Sequence, residues 1–144
     1  MNKNKKIALL GCGNWGKNIA RNLSNLECLY CIYDLNKNIS DQLNNDYGLP
    51  KLSINEIIKS KEIEAVVIAS SAITHKNLAK KALLNNKDVL IEKPFCLSLS
   101  DANDLSKLAI EKEKILMVGH LLNYHNAFIK MKKLIHNGLI GDVI

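Results

Sequence analysis

The sequence predicts an α/β protein in which helices cover both faces of a doubly wound, mostly parallel sheet. Short apolar segments alternate along the chain with segments of helical periodicity. The apolar segments are apolar throughout, as strands buried on both faces are, and the first one runs into a glycine-rich turn at residues 11–16. Strand, helix and parallel strand in succession imply right-handed crossovers.

The first half of the chain contains three of the predicted strands. Residues 5–10 form an apolar segment that glycine ends, residues 28–33 form a second that ends at Asp34, and residues 64–69 form a third. A helix is predicted between the first two, because apolar residues recur at helical spacing after Gly16, namely Ile19, Ala20, Leu23 and Leu26.

Two short helices are predicted between the second and third strands. Ile39 and Leu43 indicate the first helix, which the Gly-Leu-Pro sequence at residues 48–50 ends. Ser53 and Glu56 have the spacing of a capping box, so we expect the second helix to begin there.

The second half continues the alternation of helix and strand. Thr74 is predicted to cap a helix that stops at the two asparagines of residues 85–86, and residues 87–92 form the fourth strand. Ser100 is predicted to begin a further helix, and residues 115–118 form the last strand. The two helices direct inward the apolar residues Leu78, Ala79, Ala82, Leu83, Ala102, Leu105, Leu108 and Ala109.

The sequence becomes polar after Gly119. A helix then runs through Ile135, and the Asn-Gly sequence at residues 137–138 is expected to end it. Residues 141–144 have the character of an opening strand. Since 144 residues suffice for one domain with a real core, this ending suggests that a second domain follows.

Composition and charge exclude several classes of function. No apolar segment approaches the roughly 20 residues of a membrane-spanning helix, and the one near the N-terminus is shorter than the about 7 to 15 residues of a secretory signal. We therefore expect a cytoplasmic protein with no membrane partner. The formal charge of +6 comes almost entirely from scattered lysines without an aromatic–basic patch, so no nucleic-acid partner is predicted.

The cysteines and histidines do not predict a metal site. Cys28 and Cys31 form a C-x-x-C sequence, but residues three apart in a strand face opposite sides of the sheet. We therefore expect the four cysteines to be reduced, apolar residues of the core. His120 and His125 have no carboxylate or cysteine at metal-ligand spacing.

The glycine-rich turn predicts a dinucleotide site. In Gly11-x-Gly13-x-x-Gly16 the first glycine permits a tight turn and the second permits close approach of a diphosphate. The third permits close packing of the helix on the strand. Free N–H groups at the start of the helix would bind the phosphates. Asp34, which ends the second strand, would accept hydrogen bonds from the ribose hydroxyls and favours NAD, while Lys37 leaves NADP possible.

Glu92 and Lys93 end the fourth strand, at the edge where open α/β sheets bind their ligands. The lysine could hold a substrate hydroxyl and help to move its proton, and the glutamate could hydrogen-bond the nicotinamide ribose. A surface Glu and Lys before a turn at Pro94 is the alternative, and the pattern alone leaves both open.

Taken together, these motifs resemble the Gfo/Idh/MocA family of glucose-fructose oxidoreductases and inositol dehydrogenases. The resemblance covers essentially the whole chain and rests on these features: Gly-x-Gly-x-Trp-Gly at residues 11–16, Asp34, the segment from Ser70 to His75, residues 89–94, Gly119 and residues 137–141. It implies that residues 1–124 form a Rossmann NAD(P)-binding domain, and that residues 125–144 form a connecting helix and the first residues of a missing substrate domain. The implied activity is hydride transfer from a hydroxyl of a sugar, cyclitol or nucleotide sugar to the nicotinamide.

The resemblance also implies roles for individual residues. Lys93 would be catalytic or orient the substrate, with Glu92 at the nicotinamide ribose. The backbone of Asn14 and Trp15 would contact the diphosphate. Cofactor contacts are also implied for Ser70, Ser71 and His75, although His75 could equally cap or pack a helix. His120, just past the last strand, is a candidate for substrate contact, with a structural role as the alternative.

Two departures from the family pattern limit what carries over. After Gly119, family members often carry an aromatic residue, an Arg and a Pro, whereas this chain has His120, Asn123 and Asn126 and looks most like members that act on nucleotide sugars, such as UDP-N-acetylhexosamine 3-dehydrogenases. Family members are also more than twice as long.

The difference in length sets what we expect of the 144 residues by themselves. We expect them to bind NAD weakly and not to oxidise a sugar, and a protein with the second domain to be a homo-oligomer. A stand-alone NAD(H) sensor and an inactive remnant are the alternatives.

Overall fold

The computed structural model describes residues 4–141, and its centre is a parallel sheet in the order β2-β1-β3-β4-β5. Every pairing between neighbouring strands is parallel, which confirms the predicted α/β class. The strands of the described residues are β1 (Ile7–Leu10), β2 (Leu29–Tyr33), β3 (Ala65–Ile68), β4 (Asp88–Ile91) and β5 (Leu116–Val118).

Helices connect the strands in the predicted order. They are α1 (Asn14–Asn25), α2 (Lys37–Asp46), α3 (Ile54–Lys59), α4 (Ala72–Leu84), α5 (Leu99–Glu111), a short 3₁₀ helix (Leu121–Tyr124) and α6 (Asn126–His136). None of the helices within residues 4–141 is both long enough and apolar enough to cross a membrane.

Side chains that alternate along the strands build a hydrophobic layer on each face of the sheet. On β1, Leu10 belongs to the layer that contains Ala79 of α4 and Leu105 of α5. Leu9 points to the opposite layer, which contains Ala20 of α1. Because helices cover both faces, β1 to β4 have no exposed residue, which explains why they are largely apolar; the edge strand β5 leaves Met117 exposed.

Several predicted helix ends are confirmed. Ser53 caps α3 in a full capping box, in which its hydroxyl accepts from the Glu56 N–H and the Glu56 carboxylate accepts from the Ser53 N–H. Asn86 follows α4 with a φ of 59°, the left-handed conformation expected of an asparagine at a helix end. Gly138 follows α6 with a φ of 68°.

Two predicted helix starts are wrong. Helix α4 begins after Ser71, so Thr74 lies inside its first turn and donates a hydrogen bond to the Ser71 carbonyl. Helix α5 begins after Ser98, whose hydroxyl accepts from the Asp101 N–H, so Ser100 is not the cap. In both places an earlier serine occupies the N-cap position, but only the Ser98 hydroxyl makes a capping hydrogen bond.

The chain beyond β5 is the least buried part of the described structure. None of the residues of α6 is buried, and the helix packs on the 3₁₀ helix. The predicted boundary between residues 124 and 125 falls just before α6. Of the strand expected at residues 141–144, only residue 141 lies among the described residues, so that prediction is left untested.

Candidate functional site

Two adjoining cavities lie at the carboxyl edge of the sheet. The Asp34 cavity, of about 400 Å³, is lined by residues that follow β1, β2 and β3. The Lys93 cavity, of about 700 Å³, is lined by residues that follow β4 and β5 and by parts of α1 and α6. Ala69 and Ser70, which follow β3, line both cavities. The sheet order reverses between β1 and β3, and open α/β sheets bind ligands at such a point.

The glycine turn between β1 and α1 forms one side of the Asp34 cavity. Gly11 has a φ of +98°, and a Cβ there would collide with the backbone of Ser70. A Cβ on Gly16 would collide with the Gly11 carbonyl oxygen. An added Cβ on Gly13 meets no atom within 4 Å, so Gly13 faces open space. Two of the glycines are thus required by packing, and the third leaves room for a ligand beside the backbone.

The first turn of α1 can hold an anion. Gly13 is its N-cap, and within the described residues no side chain accepts from the free N–H groups of this turn. Gly13, Asn14 and Trp15 are exposed, so a ligand can reach this turn from solvent. Unpaired N–H groups and the helix dipole together attract a phosphate or another anion.

The Asp34 carboxylate is fixed at the end of β2. Its Oδ2 accepts from the Cys12 N–H at 2.6 Å, and its Oδ1 accepts from the Asn36 N–H at 2.8 Å. Each oxygen keeps a further lone pair with which it can accept a hydrogen bond from a ligand. Burial, reinforced by the negative charge of Asp34, raises the pKa of the Cys12 thiol to about 12, so this cysteine is an unreactive core residue.

Lys93 and His120 are brought together in the Lys93 cavity. Both side chains are exposed and line the same space, although the two residues are 27 positions apart in the chain. Within residues 4–141, the Lys93 ammonium forms no ion pair. Since parallel strands β4 and β5 are neighbours, the residues that follow them meet at one edge.

Glu92 lies between these residues and α1. Its Oε1 accepts from the indole N–H of Trp15 at 2.8 Å, and its Oε2 accepts from the Lys93 N–H at 3.3 Å. Its carboxylate packs against Gly119, which follows β5. Glu92 is therefore held at the centre of the wall of the Lys93 cavity.

Ser70 and Ser71 face the site, whereas His75 lies behind it. Ser70 shares a hydrogen bond with Thr74 at 2.7 Å, and Ser71 lines the Asp34 cavity. His75 is 1% exposed, and its Nδ1 and Nε2 lie 2.8 Å from the Pro94 carbonyl oxygen and 3.0 Å from the Ser70 carbonyl oxygen. Because both ring nitrogens face backbone carbonyls, the structure favours packing over direct cofactor contact for His75.

Part of the Lys93 cavity was not anticipated from the sequence. Its apolar wall contains Leu121, Leu122 and Phe128. The sequence did place Phe128 near the start of the helix that follows the polar stretch. Helical periodicity alone, however, does not show that this turn faces the end of β4. Within residues 4–141, no group of three or more His, Cys, Asp or Glu side chains is arranged to hold a metal ion.

Comparison with known proteins identifies relatives along the whole described chain. Residues 5–120 match the GFO_IDH_MocA family model, described as an oxidoreductase family with an NAD-binding Rossmann fold. The scyllo-inositol 2-dehydrogenase (NAD(+)) of Bacillus subtilis strain 168 is 31% identical over an alignment of 144 positions that covers 96% of this chain and 42% of that protein. The 2,7-anhydro-N-acetylneuraminate hydratase of Escherichia coli K12 is 31% identical over 140 residues, with 94% and 37% covered.

A solved structure agrees with these relatives. A putative myo-inositol dehydrogenase from Sinorhizobium meliloti 1021 superposes with a TM-score of 0.85 at 28% identity, and the match covers 97% of this chain and 43% of that one. The chain thus spans about two fifths of the length of the proteins it matches.

Proposed function

The chain belongs to the Gfo/Idh/MocA oxidoreductase family, with its NAD-binding Rossmann fold, and from this premise we propose that it binds NAD(H) across the two cavities as the cofactor domain of a dehydrogenase. The proposed substrate is a hydroxyl of a sugar, cyclitol or nucleotide sugar. Among the relatives, the Bacillus subtilis protein is an inositol dehydrogenase and the Escherichia coli protein is a hydratase, so the net reaction is part of the proposal.

The observation that carries the proposal is the pair of cavities that meet at Ala69 and Ser70. A dinucleotide has two nucleoside halves joined by a diphosphate, and the cavities are two compartments joined beside the free N–H groups of α1. We assign the adenosine half to the Asp34 cavity and the nicotinamide half to the Lys93 cavity. Asp34 and Glu92 would then each bind one ribose.

NAD is proposed as the preferred cofactor. Two backbone N–H groups hold the Asp34 carboxylate in place, so it cannot easily rotate away from a ligand in its cavity. A ribose diol would donate hydrogen bonds to this carboxylate, whereas a 2′-phosphate would be repelled by its charge. The ammonium group of Lys37, exposed at the start of α2, would have to offset that repulsion before NADP could bind equally well.

Lys93 is proposed as the group that handles the substrate proton. Bound NAD would supply the hydride acceptor. With its amine unprotonated, Lys93 would hold the reacting hydroxyl and accept its proton as the hydride leaves the hydroxyl-bearing carbon for the cofactor. His120, in the same cavity, would contact the substrate. The amine in this cavity favours an enzyme over a stand-alone sensor, because binding alone does not need a proton-transfer group there.

Calorimetry on the purified 144-residue chain tests the cofactor assignment. We expect NADH to bind more tightly than NADPH. Asp34→Asn should weaken NADH by roughly tenfold, about 1.4 kcal/mol, because a charged acceptor of ribose hydroxyls is lost. Asp41→Asn, on the exposed side of α2, is the matched control. Failure of the unmodified chain to bind either dinucleotide would overturn the proposal.

The catalytic assignment is tested in the polypeptide encoded by the complete gene. Lys93→Met should remove steady NADH formation from an inositol or nucleotide sugar while leaving NADH binding intact. Lys80→Met, an exposed change on α4, is the control. Unchanged turnover in the Lys93 variant would exclude the proposed role, and steady turnover by residues 1–144 alone would contradict the need for a second domain.

A further inference from the structure

We propose that Trp15 is a positioning residue that holds the Glu92 carboxylate in the orientation required by the nicotinamide half of NAD(H). The inference rests on the proposed function above. It extends that function to the indole side chain of Trp15, a residue of which only the backbone has so far been assigned a role. It is carried by three features of the Lys93 cavity, namely the indole hydrogen bond, the packing of Gly119 and the place of Trp15 in the cavity wall.

The hydrogen bond joins two separate parts of the sheet edge. Trp15 lies in the first turn of α1, which follows β1, and Glu92 follows β4. Strand β3 lies between β1 and β4, so the 2.8 Å bond from Nε1 to Oε1 links elements on either side of it. A neutral donor on a charged acceptor makes one of the stronger hydrogen bonds in proteins, which suits it to fix an otherwise mobile side chain.

Gly119 confines the same carboxylate from the other side. A Cβ on Gly119 would lie 2.9 Å from Oε1 of Glu92, closer than real Cβ contacts allow, and 3.1 Å from Oε2, closer than most of them. The carboxylate therefore occupies space that exists because residue 119 has no side chain. The terminal torsion of glutamate is broad by itself, so the indole donor and the Gly119 backbone together define where the oxygens point.

The position of Trp15 confines its effect to one half of the ligand. Trp15 lines the Lys93 cavity together with Glu92, whereas the Asp34 cavity is lined on this side by Gly11 and Gly13. The indole is 48% exposed, so replacing it with another ring leaves no hole in the core. Loss of the indole N–H should therefore weaken contacts to the nicotinamide ribose and leave the adenosine and diphosphate contacts unchanged.

Calorimetric titrations with NADH and with ADP, which lacks the nicotinamide nucleoside, test this inference on the 144-residue chain. Trp15→Phe keeps an aromatic ring and removes the N–H. We expect NADH to bind about tenfold more weakly and ADP to bind unchanged. Tyr47→Phe, at the end of α2, is a control aromatic change for which neither affinity should move. Equal NADH affinity in Trp15→Phe and the unmodified chain, or an equal loss for ADP, would overturn the inference.

A double-mutant cycle gives a second, independent measurement. If Trp15 acts through Glu92, then Trp15→Phe should cost NADH affinity in the unmodified chain and nothing further in Glu92→Ala, which removes the acceptor of the indole hydrogen bond. Additive losses in the double variant would overturn the inference even if both single variants bind less. An unmodified chain that binds ADP and NADH equally, or neither, would instead count against the proposed function, and the inference would fall with it.

Discussion

Nδ1 of His75 lies 2.8 Å from the carbonyl oxygen of Pro94, so helix α4 is joined to the residue that directly follows Lys93. The other ring nitrogen lies 3.0 Å from the Ser70 carbonyl, at the point where the two cavities meet. The imidazole thus links the segment that contains Lys93 to the end of β3 from the buried side of the site. This is a packing role and not direct contact with a ligand.

His75→Phe should lower the free energy of unfolding by about 1 to 3 kcal/mol, because the hydrogen bond that the imidazole N–H donates to a backbone carbonyl is lost and a larger ring must fit a buried site. Urea denaturation followed by circular dichroism measures this change. His136→Asn, on the exposed end of α6, is the control and should have little effect. Equal stability of the His75 variant and the unmodified chain would show that these contacts do not contribute.

Gly16→Ala should affect stability and Gly13→Ala should affect NADH binding, although both residues lie in the same turn. The methyl group on Gly16 would collide with the Gly11 carbonyl, so we expect a loss of about 1 to 3 kcal/mol of stability. Gly13 has a φ of −61° and open space around it, so Gly13→Ala should fold normally and weaken NADH binding. Thermal unfolding and NADH calorimetry on both variants separate the two effects, and a reversed order of stability would contradict the packing argument.

Lys87→Met should destabilise the protein by about 2 kcal/mol, because it removes two hydrogen bonds to backbone carbonyls. The Lys87 ammonium is buried and donates to the carbonyl oxygens of Ser60 at 2.6 Å and Ile63 at 2.7 Å. Burial lowers the pKa of this lysine. Lys80→Met is the exposed control, and urea midpoints of the two variants should differ clearly.

Asp88 should make stability depend on pH in the acid range. Partial burial raises the pKa of its carboxyl, but the hydrogen bonds from Lys5 at 2.8 Å and from the Ile115 N–H at 3.0 Å outweigh burial and lower it. Because the folded pKa lies below the unfolded value of about 3.9, the stabilisation is present above that pH and is lost as pH falls through the folded pKa.

The comparison of Asp88→Asn with the unmodified chain measures this contribution. We expect the variant to be less stable by about 1 kcal/mol at pH 7, discounted for the exposure of Lys5. The difference should shrink as pH falls below about 4 toward the folded pKa of Asp88, below which both proteins carry an uncharged side chain at this position. A gap that stays constant from pH 7 to pH 3 would mean that charge plays no part.

The helix ends show which structural features can be predicted from residues that are close together in the sequence. The capping box of Ser53 and the left-handed Asn86 were predictable because each depends on residues within one turn. The starts of α4 and α5 were not, since the N-cap positions are taken by Ser71 and Ser98, which precede Thr74 and Ser100 by a few positions. Which residue takes the N-cap position depends on where the preceding strand or loop ends.

The sequence by itself determined the fold class and the edge at which the site lies. Apolar strands alternating with helices require a parallel sheet with covered faces, and the ends of parallel strands bring the glycine turn, Asp34, Lys93 and His120 to one edge. Tertiary structure alone decided which side chains meet there. Trp15 and Glu92 are 77 positions apart, and His75 and Pro94 are 19 apart. Periodicity assigns a residue to a face, but a partner across the sheet is selected only when distant segments pack together.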